Sequence, residues 1–471
     1  MSFATLHFLA FLALVSGLYF ALRGRGRLPL LLLASLYFYM VWRPVYVLLL
    51  LASISCDYAA ALVMARTSRP GVRRSALLAS LGVNLAILVV FKYANFLLAQ
   101  AALVFPQASS AYLRLVLPLG ISFYTFQAMS YAIDVYRGSL AAERSYFRYA
   151  LFVIFFPQLV AGPIERAGHL LPQLREYHSF DPARVTSGLR LILWGLVKKM
   201  VVADNLAGFV DRAYAAPEHF SGPSLLLASV LFAYQIYCDF SGYSDIAVGS
   251  ARVLGVDLMA NFDRPYSAAS IGEFWHRWHI SLSTWFRDYV YVPLGGNRCG
   301  ARRQYENIFV TFCLSGLWHG ANWTFLAWGA YHGALVVAQY ATVEWRKRLY
   351  AACGLEGRDR LRHALQVVAT FVLVNVGWIL FRAPSLGAAW SVLTGVFSGR
   401  DGLAAFTAQE VAAALALMAA VELGQALQGS DPREIPVPAH YVLRWGVYLL
   451  LGVVLLNLGV DKTVPFIYFE F

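Results

Sequence analysis

NIFVTFCLSGLWHGANWTFLAWGAYHGALVVAQYA, residues 307–341, contains no Asp, Glu, Lys or Arg. A helix rises ~1.5 Å per residue, so a hydrocarbon core of ~30 Å needs about 20 such residues, and this stretch has enough. It also carries His319 and His332. Counted along a helix from Asn307, His319 falls roughly 18 Å in, near the middle of the core. An ionisable side chain at that depth is costly and is a functional-site hypothesis by default. Gly316 and Gly320 flank it as G-x-x-x-G, which lets a second helix approach closely, and Asn322 and Trp323 add polar and aromatic groups beside it. The competing reading is a packing histidine bonded to a backbone carbonyl. His332, with Gly329 and Gly333 but no comparable polar company, fits that structural role better.

The whole chain is of the same kind. Its 471 residues are 59% hydrophobic and 14% charged, with a mean hydropathy of +0.58, against about 45–50% and about 25% in a soluble globular protein. Apolar runs lie near residues 4–22, 28–41, 45–64, 76–100, 115–133, 149–162, 189–203, 223–238, 307–341, 364–380, 408–422 and 442–459. This reads as an all-α integral membrane protein with roughly 10 to 12 transmembrane helices. Residues 1–471 form one polytopic domain, with no soluble domain at either end and the bilayer as its first partner. The net charge of +12 marks topology rather than nucleic-acid binding. Arg23, Arg25 and Arg27, then Arg66, Arg69, Arg73 and Arg74, follow apolar stretches, whereas Phe96 to Leu113 is uncharged. By the positive-inside rule those clusters are cytoplasmic and the N-terminus is outside. The first 22 residues lack a basic leading region and stay on as a helix. The five cysteines are scattered without paired spacing, so neither a disulfide framework nor a thiolate metal site is expected.

Two stretches break the apolar pattern. Residues 164–186 mix leucines with Glu165, Arg166, Arg175 and Glu176, which suits an interfacial or re-entrant segment. Residues 261–305 hold nine charged side chains' worth of polarity in an aromatic setting, including Asp263, Arg264, Glu273, Arg277, Arg287 and Asp288. Such a segment is tolerated at membrane depth only when buried in protein or lining a wet cavity, and it is placed at a cavity wall. Read as one helix, 272–289 (GEFWHRWHISLSTWFRDY) puts Trp278, Leu282, Trp285, Phe286 and His279 on one face and Arg277, Ser281, Thr284 and Asp288 opposite, with His276 at the edge. A histidine among tryptophans loses solvation and stays neutral, the form that accepts a proton; it can equally be a core histidine with a satisfied hydrogen bond. Glu273, His276 and His279 have no second cluster to make a di-metal site, and no G-x-S-x-G elbow, phosphate loop or dinucleotide fingerprint is present.

FWHRWHISLSTWFRDYVYVPLGGNR (274–298) and LSGLWHGANWTFLAWGAYHG (314–333) resemble the signature blocks of the membrane-bound O-acyltransferases, specifically the alginate O-acetyltransferase subgroup. PLGISFYTFQAMSYAIDVYRG (118–138), FPQLVAGPIER (156–166), YCDFSGYSDIAVG (237–249) and the terminal PFIYFEF (465–471) extend the likeness along the chain, with a signature core of about 118–333. The resemblance implies a multi-helix fold around a central tunnel and acyl transfer from a cytoplasmic thioester, acetyl-CoA in this subgroup, to a hydroxyl. It implies His319, next to Trp318, as the catalytic histidine and His279 as the second signature histidine. His276 stands where alginate-type members commonly have arginine, so a role tied to that arginine does not carry over.

On this reading His319 is the general base, His279 and Asn322 orient it or polarise the carbonyl, Trp318 and Trp278 support them, and Arg287 and Asp288 position the donor or close the cavity. No tightly bound cofactor and no metal are expected. The subgroup further implies a bacterial inner-membrane location, an extracytoplasmic partner with a serine-hydrolase-like fold, and polysaccharide machinery. Alginate, cellulose, peptidoglycan and other glycans all remain open as acceptors. The rival reading is a transporter or flippase for a glycan or lipid-linked precursor, its path lined by Asp57, Lys92, Asp134, Asp239 and Asp245; the internal repeats common in transporters are not evident.

Overall fold

The computed structural model describes residues 1–22, 24–107, 112–113, 115–160, 162–397, 402, 404–429, 431–460 and 466–467. Arg23 and all of PFIYFEF except Phe466 and Ile467 lie outside them. The described residues are helical, without a strand. They group into two compact units, Met1–Leu193 with Tyr243–Met259, and Trp194–Gly242 with Ala260–Phe471.

In the first unit, helices Tyr46–Arg66 and Pro70–Ala102 are long and apolar enough to cross a membrane. The Arg43-Pro44 break precedes the first of them, and Pro70 opens the second, where a missing N–H costs nothing. Ile121–Arg137 is buried along most of its length and is bracketed by Gly120 and Gly138, both in the left-handed region (φ 72° and 76°). A side chain at Gly120 would strike the Leu159 carbonyl, so that position needs glycine for space as well as for backbone freedom. Ala167–Arg175, inside the expected interfacial stretch, is a nine-residue helix that buries Leu170 and Leu171 and is too short to cross.

In the second unit, Asp359–Arg382, Ala408–Leu427 and Tyr441–Leu458 are spanning candidates, and Gly222–Val253, which runs through residues of both units, is the sixth such helix among the described residues. Against the roughly ten to twelve crossings expected, six helices among the described residues are long and apolar enough to cross, and others are shorter, such as Leu6–Ala21, Arg27–Met40 and Leu386–Phe397. The 307–341 run is a helical hairpin rather than a continuous rod. Ala301–His319 ends at His319, Gly320 is extended (φ −165°), and Asn322 caps Trp323–Ala341 by accepting the Thr324 N–H at 3.1 Å. Gly316 lies against the Phe325 carbonyl and Gly329 against Phe312, so the small residues serve the approach of the two arms.

Candidate active site

All the histidines of interest belong to the second unit. The 272–289 stretch forms two short helices, Ile271–Arg277 and Ile280–Phe286, rather than one. His279 occupies the break with φ 43°, one of two non-glycine residues in the left-handed region among those described. Such a conformation costs roughly 1–3 kcal/mol and persists only where neighbours over-determine it. Here the strand of chain at 261–263 does so: Asn261 O accepts the Ile280 N–H at 2.9 Å, and Asp263 N–H donates to the Arg277 carbonyl at 3.0 Å. The helical-wheel reading therefore fails past residue 277. Ser281, expected on the polar face, is fully buried.

The break turns His279 inward, where it is 1% exposed. Its Nδ1 meets Asn261 Oδ1 at 3.0 Å, and the same oxygen accepts from Ser281 Oγ at 2.9 Å. Asn261 had no signal in the sequence beyond opening the charged, aromatic stretch 261–305. Phe240 stands edge-on to the imidazole, with ring centroids 4.6 Å apart at 86°. Trp278, also buried, packs on Phe262 (5.1 Å) and Trp378 (4.7 Å). His279 lies outside the helices long enough to cross the membrane. Burial pushes its pKa from the ordinary 6.5 down to about 3, so the ring is neutral.

Trp318 joins the two signature histidines. Its ring centroid is 6.1 Å from that of His279 and 4.9 Å from that of His319. His319, 3% exposed, is further enclosed by Trp328 (4.9 Å, 81°) and Phe381 (5.3 Å, 75°). It is the last residue of its helix, so it sits at the end of an arm rather than midway along a crossing. Asn322 is half-buried at the start of the next helix; its described side-chain bonds go to the Thr324 N–H and, at 3.1 Å, to the Pro384 carbonyl. Those bonds serve the hairpin turn and not an imidazole.

A cavity of about 330 Å³ lies along the same helices, lined by Trp275, His276, Arg287, Phe312, Ser315 and Val336 among others, and neither His279 nor His319 is part of its lining. The charged 261–305 stretch thus contributes to a cavity wall. Arg287 begins a π-helical turn, Arg287–Tyr291, and is paired with the adjacent Asp288 at 2.7 Å, both partly exposed. Asp288 also belongs to that turn. His276 is exposed, with Nδ1 2.6 Å from the Gly272 carbonyl. His332 is fully buried between Trp275 and Trp328, each 5.0 Å away, and neither ring nitrogen has a hydrogen-bond partner among the described residues. Two of the carboxylates considered as path-lining are engaged: Asp57 accepts from Ser80 Oγ (2.6 Å) and Asn84 Nδ2 (2.8 Å), and Asp239 pairs with Lys199 at 2.7 Å.

The description "membrane-bound O-acyltransferase family" matches residues 83–352, more than half of the chain and inclusive of every histidine of the site. The chain is 36% identical to a probable alginate O-acetylase of Azotobacter vinelandii, over 98% of both chains. It is 35% identical to the peptidoglycan O-acetyltransferase of Helicobacter pylori, covering 80% of this chain and 76% of that one. A teichoic acid D-alanyltransferase of Bacillus subtilis is 28% identical over 56% of this chain and 68% of its own. With two buried histidines sharing one tryptophan in an all-helical membrane protein, these likenesses make the chain a member of the membrane-bound O-acyltransferase family.

Proposed function

We propose that this multi-pass membrane O-acyltransferase moves acetyl from acetyl-CoA at the cytoplasmic face of a bacterial inner membrane, for O-acetylation of an exported or cell-surface polysaccharide. The observation that carries the reading is His319: a nearly inaccessible imidazole in an aromatic cage of Trp318, Trp328 and Phe381, inside the segment shared with the family. The relatives named as alginate and peptidoglycan O-acetylases support acetyl as the group and a glycan as its destination.

In the proposed step the acceptor hydroxyl gives its proton to neutral His319 while its oxygen attacks the thioester carbonyl. The C–O bond forms, the C–S bond breaks, and His319 returns the proton to the departing thiolate. Positioned proton transfer of this kind contributes about 10²- to 10⁴-fold in rate. As the last residue of its helix, His319 stands at the negative end of the helix dipole, which favours the positive charge that develops on the ring. His279 orients the reacting groups from the other side of Trp318. The 330 Å³ cavity, with Arg287 on its lining and mostly apolar walls, suits the donor. The arginine clusters point to an N-terminus outside, and an extracytoplasmic acetyltransferase partner is the expected next carrier.

The test is transfer from radiolabelled acetyl-CoA in membranes holding wild type, His319→Ala or His279→Ala at matched abundance. Label that reaches protein or glycan in wild type and is lost with His319→Ala supports the reading. Equal labelling in all three removes His319 as the base, and none in folded wild type removes acetyl-CoA as the donor.

A further inference from the structure

A lysine and two aspartates lie buried in the second unit, on elements the proposed chemistry does not use. Val197–Ala203 is a π-helical turn, a distortion that recurs at functional sites. It turns two consecutive lysines inward: Lys198, whose Nζ donates to Ser241 Oγ at 2.9 Å, and Lys199. Lys199 Nζ lies 2.7 Å from Asp204 Oδ1 and 2.7 Å from Asp239 Oδ1, with all three side chains no more than 5% exposed. Taking such ions out of water is costly, so apolar residues of similar volume would often serve packing as well or better.

What the ion pair holds is the connection to the histidine site. The second oxygen of Asp239, Oδ2, accepts the backbone N–H of Ile467 at 2.7 Å. Phe466, fully buried, packs on Phe240 with ring centroids 5.4 Å apart. Phe240, the residue after Asp239, is the ring that stands edge-on to His279 at 4.6 Å, and it also meets Phe262 at 5.0 Å. One residue pair on one helix therefore grips a chain segment more than two hundred positions away and the signature histidine together.

We infer that Asp239 is a positioning residue of the site: anchored by Lys199, it pins Ile467 and Phe466 against Phe240, and Phe240 holds the His279 ring on its bond to Asn261. Asp239 touches no reacting atom and acts through Phe240. The alternative is a packing anchor alone, in which case its loss lowers stability and leaves the site of each folded molecule intact. The activity part of the test rests on the acyl-transfer reading, and the exchange part does not.

The full-length protein is purified in detergent as wild type, Phe466→Ala, Phe466→Leu, Asp239→Ala and the Asp239→Ala/Phe466→Ala double variant. Acetyl transfer is measured per folded molecule, with hydrogen–deuterium exchange followed over residues 261–282. Phe466→Ala is expected to lower kcat by about ten-fold or more with the donor KM little changed, since small misplacements near a reacting centre are costly. It should also speed exchange over 261–282, while Phe466→Leu, which refills the space, restores most of both. The double variant should be no worse than the poorer single one, because both substitutions cut the same link. Unchanged exchange over 261–282 in Phe466→Ala and Asp239→Ala overturns the inference, as do effects confined to melting temperature. If wild type transfers no acetyl, the functional reading falls while the exchange result still decides the positioning role.

Discussion

Asn261 Oδ1 accepts from His279 Nδ1 across 3.0 Å, and the same oxygen takes the Ser281 backbone N–H at 3.3 Å. A backbone N–H can only donate, so the atom it meets is the amide oxygen, and the ring nitrogen facing that oxygen must carry its hydrogen. In neutral His279 the lone pair is therefore on Nε2. An asparagine with no motif of its own sets both the tautomer and the direction of a signature histidine.

Replacing Asn261 tests this arrangement. Asn261→Leu strips the acceptor from His279 Nδ1–H and from Ser281, and an unpaired buried donor costs about 1–3 kcal/mol, or roughly ten- to a hundred-fold if it is felt in the transition state. Acyl transfer per folded molecule should fall in that range. Asn261→Asp keeps an oxygen in place and should retain more activity. Wild-type rates in Asn261→Leu would show that the ring is oriented by something else.

The acid limb of stability has a defined sign at His279. Its pKa lies near 3 in the folded protein against an ordinary 6.5. As pH falls through 6.5 the unfolded ring takes a proton that the folded ring refuses until about pH 3. The contribution is complete above 6.5 and is lost progressively between 6.5 and 3. The melting temperature of the detergent-purified protein should therefore drop on acidification in this window, and His279→Gln, which cannot protonate, should show a shallower drop. Parallel acid slopes for the two would place the proton-linked loss elsewhere.

Much of the candidate site is legible in the sequence, and the departures from that reading share one cause. Composition and run length identify a helical membrane protein because apolar length is set by bilayer thickness. His319 stood out because an imidazole in an uncharged run has to be accounted for. Periodicity, however, assumes a helix continues. It has no means of seeing that Gly320 and the Asn322 cap fold 307–341 into a hairpin, or that His279 adopts φ 43° because Asn261 and Asp263 bind the flanking backbone. Asn261 and Phe240 carried no signal as site residues, and Asp239 was read only as lining the rival transport path, since each makes its decisive contacts with residues distant in sequence.

Gly316 should be intolerant of any side chain. A Cβ there would run into the Phe325 carbonyl and crowd Gly329 of the opposing arm. Both are backbone atoms, so relief requires the arms of the hairpin to separate and His319 to move with them. Gly316→Val is expected to cost about 3 kcal/mol or more, at the upper end for overpacking, and to lower the yield of monodisperse protein in detergent. Normal yield and melting temperature would mean that the two arms are free to part.

His332 and Gly377 provide a paired test of whether the third buried histidine is structural. A Cβ on Gly377 would collide with the His332 ring, so Gly377→Ala should destabilise by about 1–3 kcal/mol. His332→Ala also destabilises alone, through lost contacts with Trp275 and Trp328, but it vacates the space that the new methyl needs. The double variant should therefore be more stable than the sum of the two single losses, by the coupling expected of touching residues. Melting temperatures of the four proteins give that coupling directly. If the double variant is rescued in stability and still transfers its acyl group at near-wild-type rates, His332 is a packing residue; if stability returns without activity, the imidazole itself is required.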